Sequence, residues 1–128
     1  ARQQGVALTA VQADVGDYRP PAGEFDLVIV LYLQVPDPVL GAAVSGASRA
    51  LTPGGTFLLI GHDVDNLERG HGGPPDPAIL QSPDQVTSFL EDDLEVVAAQ
   101  RIDRVVDTPD GPRTAIDTLV RAVRPAAA

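Results

Sequence analysis

The chain has 128 residues, 44% of them apolar, a formal net charge of −9 and no cysteine. That length suits one domain with a real core. The missing thiols exclude a disulfide framework and a thiolate metal site, and the acidic balance works against a nucleic-acid partner, which needs a basic face.

Every basic residue is arginine, and lysine, methionine and tryptophan are absent, a bias that points to GC-rich coding. Ala1-Arg2-Gln3-Gln4-Gly5 has neither the charged start nor the apolar core of a signal peptide, and no initiator methionine precedes it. The expectation is a cytoplasmic protein whose chain starts partway through a gene. The longest apolar run, Leu27 to Leu33, is too short to span a bilayer, so no membrane partner is expected.

In chain order, Val6 to Val11 is apolar and β-capable. It leads to Asp14, Gly16 and the breaker cluster Pro20-Pro21-Ala22-Gly23, which predicts a strand and a loop. Asp26 opens Leu27-Val28-Ile29-Val30-Leu31, a continuous apolar run that fits a central strand of a parallel sheet, covered on both faces. Asp37 as cap, Pro38 at the first helical position and apolar residues at 39, 40, 43, 44, 47 and 51 predict a helix ending at Pro53-Gly54-Gly55. Thr56 to Ile60 is the next buried strand.

The stretch from Gly61 to Pro77 is rich in glycine and proline and has no apolar period, so it reads as a long loop, of use as a lid. Ser82-Pro83-Asp84-Gln85 gives a cap, a first-turn proline and a capping-box partner for a short helix carrying Val86, Phe89 and Leu90. Leu94 to Val106 and Thr114 to Val123 are β-rich and joined through Pro109-Asp110-Gly111, which predicts an antiparallel pair. Residues 1–124 form one partial domain on this reading, and 125–128 a disordered tail.

The order of Val11-Gln12-Ala13-Asp14, Glu24 to Val30 and Leu51 to Ile60 resembles the second half of a class I S-adenosylmethionine-dependent methyltransferase. The segments Tyr32-Leu33-Gln34, Gly61-His62-Asp63 and Thr114-Ala115-Ile116-Asp117 look most like its small tellurite-resistance or thiopurine-type branch. The resemblance covers nearly the whole chain. It implies an α/β, Rossmann-like fold represented by its C-terminal part: strands 3 to 7 with a terminal antiparallel hairpin, and the first two strands missing. The family's glycine-rich turn, which holds the methionine end of the cofactor, is absent. An upstream segment or a partner chain is therefore expected to complete the sheet, because a long apolar strand edge left open is an aggregation hazard.

The resemblance makes S-adenosylmethionine the cofactor. Asp14 matches the acid that accepts from the adenine amino group, and Val15 offers an amide beside the ring. The other reading of Asp14 is a turn aspartate bonding its own backbone. Leu31 and Tyr32 match the end of the fourth strand, which lines the sulfonium and faces the substrate. Tyr32 reads either as a donor or a stacking partner there, or as a core aromatic.

His62 follows the fifth strand. It is a candidate general base with Asp63 or Asp65 orienting its ring, against a loop histidine bonded to backbone. The spacing of His62, Asp63, Asp65 and His71 matches no closed zinc arrangement, so no metal is expected. The implied activity is methyl transfer to a small-molecule acceptor, with this chain inactive alone. The alternatives are a nicotinamide-dependent Rossmann enzyme, which the terminal hairpin opposes, and a non-catalytic Rossmann-like binding or assembly module that has lost the cofactor site.

Overall fold

The computed structural model describes residues 2–126. Four strands form one sheet: β1 (Phe25–Leu31), β2 (Leu51–His62), β3 (Glu95–Thr108) and β4 (Gly111–Val123), in the order β1-β2-β4-β3. β1 and β2 are parallel and linked by helix α1 (Asp37–Arg49); the other two pairings are antiparallel. The mixed sheet with its closing hairpin is the α/β architecture expected from the sequence. Helices α2 (Asn66–Arg69) and α3 (Pro83–Ser88) and 3-10 turns at Arg2–Gln4 and Pro77–Ile79 complete the elements.

The core lies on one face of the sheet. Strand alternation puts Val28, Val30, Phe57, Leu59, Val120 and Ala122 on that side, and Leu40, Val44 and Ala47 of α1 and Val86 of α3 pack against them. Burial of this cluster holds the helices down, which is how α1 persists despite Gly41 and Gly46. Gly41 has a packing reason: a Cβ there would lie 3.1 Å from the Phe89 ring. The opposite face carries Leu27, Ile29 and Leu31, each more than half exposed.

Several local expectations are corrected. Val6 to Val11 forms no strand and its side chains are exposed, because a lone strand has no ladder to satisfy its backbone groups and no neighbour stands beside it among the described residues. Asp37 lies inside the first turn of α1, which Pro36 precedes, and its carboxylate accepts from Gln85 Nε2 at 2.6 Å. Gln85 therefore makes no reciprocal capping box, although Ser82 does cap α3 by accepting from Gln85 N at 3.1 Å.

α1 ends at Arg49, and Leu51 already pairs with Phe25. β2 advances from Leu51 to Thr56 while β1 advances from Phe25 to Leu27, so Pro53-Gly54-Gly55 bulges out of a longer strand. Gly54, at φ 84°, makes that bulge, and its amide donates to Arg124 O at 2.7 Å. The hairpin also runs further than expected, to a two-residue turn at Pro109-Asp110 closed by the Thr108–Gly111 pair.

The 61–77 segment is tied down instead of hanging free as a lid. Asn66 is 4% exposed; its Oδ1 accepts from Ile116 N at 2.8 Å and His71 N at 3.2 Å, while its Nδ2 donates to Gly72 O at 2.9 Å. The side chain stands in for a missing ladder and pins the loop to β4. At the other end of the chain, Pro125 and Ala126 lack regular structure, and 127–128 of the expected tail lie outside the described residues.

Candidate functional site

The carboxyl ends of β1 and β2 lie side by side, with Leu31 paired to Ile60, and each strand delivers a ring there. Tyr32 follows β1 in a left-handed conformation at φ 53°, which a bulky residue adopts only when its surroundings hold it. Its amide donates to Ile60 O at 2.7 Å and its hydroxyl to Asp117 Oδ2 at 2.7 Å. The ring centroid lies 4.9 Å from that of His62, and the Arg104 guanidinium carbon sits 5.6 Å from the Tyr32 centroid. Burial, then the bond to Asp117, pushes the phenol's pKa up, while Arg104 opposes the shift.

Asp117 faces His62 across the β2–β4 ladder and is 1% exposed. Arg104, diagonal to it on β3, donates Nε to Oδ2 at 2.9 Å and Nη2 to Oδ1 at 3.4 Å. These bonds raise the Arg104 pKa. His62 Nδ1 lies 3.8 Å from Asp117 Oδ1 and is buried with no hydrogen-bond partner among the described residues. Two glutamines tie the strand ends: Gln34 Oε1 accepts from His62 N at the end of β2 at 3.0 Å, and Gln81 Nε2 donates to Leu33 O just past β1 at 2.8 Å. Gly61 leaves the room Gln81 needs, because a Cβ there would come within 2.1 Å of Gln81 Oε1.

Asp63 does not orient His62. Adjacent strand residues point to opposite faces, and Asp63, 0% exposed, turns to the helix side. There it accepts from Arg101 Nε at 2.8 Å, Asp65 N at 2.8 Å and Thr118 Oγ1 at 2.5 Å. Asp65 joins the same network through Arg101 at 3.0 Å and Arg69 at 2.5 Å. The group beside the His62 ring is Asp117. Its sequence signal was available: a lone acid in Ala115-Ile116-Asp117-Thr118-Leu119-Val120, where an unpaired charge is not tolerated.

The other expected residues sit apart from this cluster. Asp14 Oδ1 accepts from Gly16 N at 2.8 Å, a turn aspartate on its own backbone, and the residue is exposed. Val15 is half-buried and, with Leu31, lines a cavity of about 520 Å³. All of Leu27 to Leu31 line it, together with Ala43, Ala47 and Ala50 of α1. Consecutive strand residues alternate faces, so only a groove along the free edge of β1 touches every one of them.

No family model matches the sequence, and no curated protein matches it. Solved structures do match. An S-adenosylmethionine-dependent methyltransferase of Methanosarcina mazei is 12% identical, with a TM-score of 0.59, over 90% of this chain and 66% of that one. The N-methyltransferase NodS of Bradyrhizobium japonicum is 19% identical, with a TM-score of 0.56, over 88% of this chain and 57% of its own. The cyclase SpnF is 14% identical, with a TM-score of 0.62, over 98% and 60%. The chain thus spans 57% to 66% of the length of these three. It has the class I S-adenosylmethionine-dependent methyltransferase fold. No helix among the described residues is long and apolar enough to cross a membrane.

Proposed function

We propose that the domain to which this chain contributes transfers a methyl group from S-adenosylmethionine to a small-molecule acceptor, and that the chain supplies the adenine edge and the acceptor side of the site. The observation that carries this reading is the convergence of Tyr32 and His62 at the carboxyl ends of two parallel strands, where open α/β sheets bind their ligands. The segments resembling the tellurite-resistance and thiopurine branch support a small acceptor.

The donor set fits the cofactor at one end. Asp14 has only Oδ1 engaged among the described residues, which leaves Oδ2 for an exocyclic amine, and Val15 and Leu31 offer apolar contact. The methionine end has no counterpart, since no glycine-rich strand turn precedes Asp14 in this sequence. When bound, the cofactor supplies an electrophilic methyl group on a sulfonium. The chain's own residues hold the acceptor beside it and exclude water.

A further strand, upstream in the same polypeptide or from a partner, fills the groove beside β1 and brings the missing cofactor contacts. Without it the chain is inactive. Native mass spectrometry of the intact protein, with and without S-adenosylmethionine, tests the reading. Uptake of one cofactor per active unit, lost in Asp14→Ala, together with transfer of labelled methyl, supports it. An intact protein that takes up no cofactor is instead the assembly module.

A further inference from the structure

We infer that Asp117 is a positioning residue that holds the His62 ring with its protonated Nδ1 toward the carboxylate and leaves Nε2 free to take the acceptor's proton. This rests on the methyl-transfer reading for its chemistry but not for its geometry. His62 Nδ1 is buried without a hydrogen-bond partner among the described residues, and Asp117 Oδ1 is the carboxylate oxygen facing it at 3.8 Å. A neutral imidazole carries its proton on one nitrogen only. A lone pair at Nδ1 would face a negative oxygen 3.8 Å away; a proton there turns the same contact into an attraction.

The surroundings leave Nδ1 to Asp117. The Tyr32 hydroxyl is committed to the other carboxylate oxygen, Arg104 carries only donors and balances the carboxylate's charge, and Gly73 presents no side chain. A Cβ at Gly73 would lie 3.2 Å from Nδ1, and at φ 72° that position favours glycine. The loop donor beside it, Asn66 Nδ2, is spent on the carbonyls of His71 and Gly72, so the loop closes over Nδ1 without bonding it. A base oriented by a buried carboxylate is the arrangement that general-base chemistry uses.

In the step this serves, an acceptor O–H, N–H or S–H loses its proton to Nε2, giving an imidazolium paired with Asp117. The acceptor's electron pair forms the bond to the methyl carbon, and the carbon–sulfur pair stays on sulfur.

The test is the tautomer of His62, read from imidazole nitrogen shifts in the intact protein labelled with nitrogen-15 histidine, with the signals assigned by their loss in His62→Gln. The expected result is a dominant Nδ1–H form that falls to a minority in Asp117→Asn and persists in Tyr32→Phe. A dominant Nε2–H form in the unmutated protein overturns the inference, and so does an unchanged tautomer in folded Asp117→Asn. The unmutated protein decides the first point even where the variant fails to fold. Absence of cofactor uptake sinks the methyl-transfer reading separately and leaves the tautomer where it is.

Discussion

Asp63 and Asp117 are both buried carboxylates, and each meets an arginine from β3, yet they serve different ends. Asp63 accepts three hydrogen bonds on the helix side of the sheet, one of them from fully buried Thr118. Asp117 accepts from Tyr32 and Arg104 on the other face, beside a ring nitrogen with no partner among the described residues. A saturated network of local bonds holds a structure together. A carboxylate next to an unsatisfied imidazole has capacity left over for chemistry. The difference follows from one-residue parity along β2 and β4: His62 and Asp117 share a face, and Asp63 and Thr118 share the opposite one.

The largest expected effect separates the two. Asp63→Asn leaves the buried Thr118 hydroxyl without a charged acceptor and Arg101 with Asp65 alone, and destabilises the protein by about 3 kcal/mol in urea denaturation. Asp117→Asn costs about 1.5 kcal/mol, because Tyr32 and Arg104 are partly exposed and can be rehydrated. A reversed order breaks the comparison.

Next comes Gly61→Ala. Displacing Gln81 from its packed position costs about 2 kcal/mol, read in the same assay, and should shift the His62 nitrogen signals because Gln34 shares that corner.

Tyr32→Phe removes one hydrogen bond, at about 1 kcal/mol. It also sharpens the pH profile. The phenol's pKa is raised in the fold by burial and by Asp117, so the folded state holds the proton more tightly than the unfolded chain. The resulting stability is fully present below the unfolded value of about 10 and is lost as pH rises through the folded one. Denaturation across the alkaline limb should show that decline in the unmutated protein and a flatter one in Tyr32→Phe.

The smallest effect on stability is that of Asp14→Ala, below about 0.5 kcal/mol for an exposed turn residue. Cofactor uptake by the intact protein is nevertheless lost, and retained uptake would remove Asp14 from the site.

The fold that serves these residues also carries SpnF, a cyclase, at a TM-score of 0.62. Fold and chemistry are therefore separate questions here, and the rings and carboxylates at the strand ends bear on the second.

Much of the fold was legible because its determinants are local. The Ser82-Pro83 helix start and the Pro109-Asp110-Gly111 turn act through neighbours in sequence and stand where they were expected; the Leu27-Val28-Ile29-Val30-Leu31 run is the expected parallel strand, but it lies at the sheet edge with one face exposed instead of at the centre covered on both. Tyr32 and His62 were legible as strand-end residues for the same reason. Two things were decided only by tertiary structure. Val6 to Val11 has β-capable residues but becomes a strand only when a neighbour satisfies its backbone groups. Which carboxylate faces His62 was fixed by the register of β2 on β4, a pairing between segments far apart along the chain, and strand parity turned Asp63 away. Local sequence chose which side chains stand at the strand ends; non-local pairing chose which of them meet.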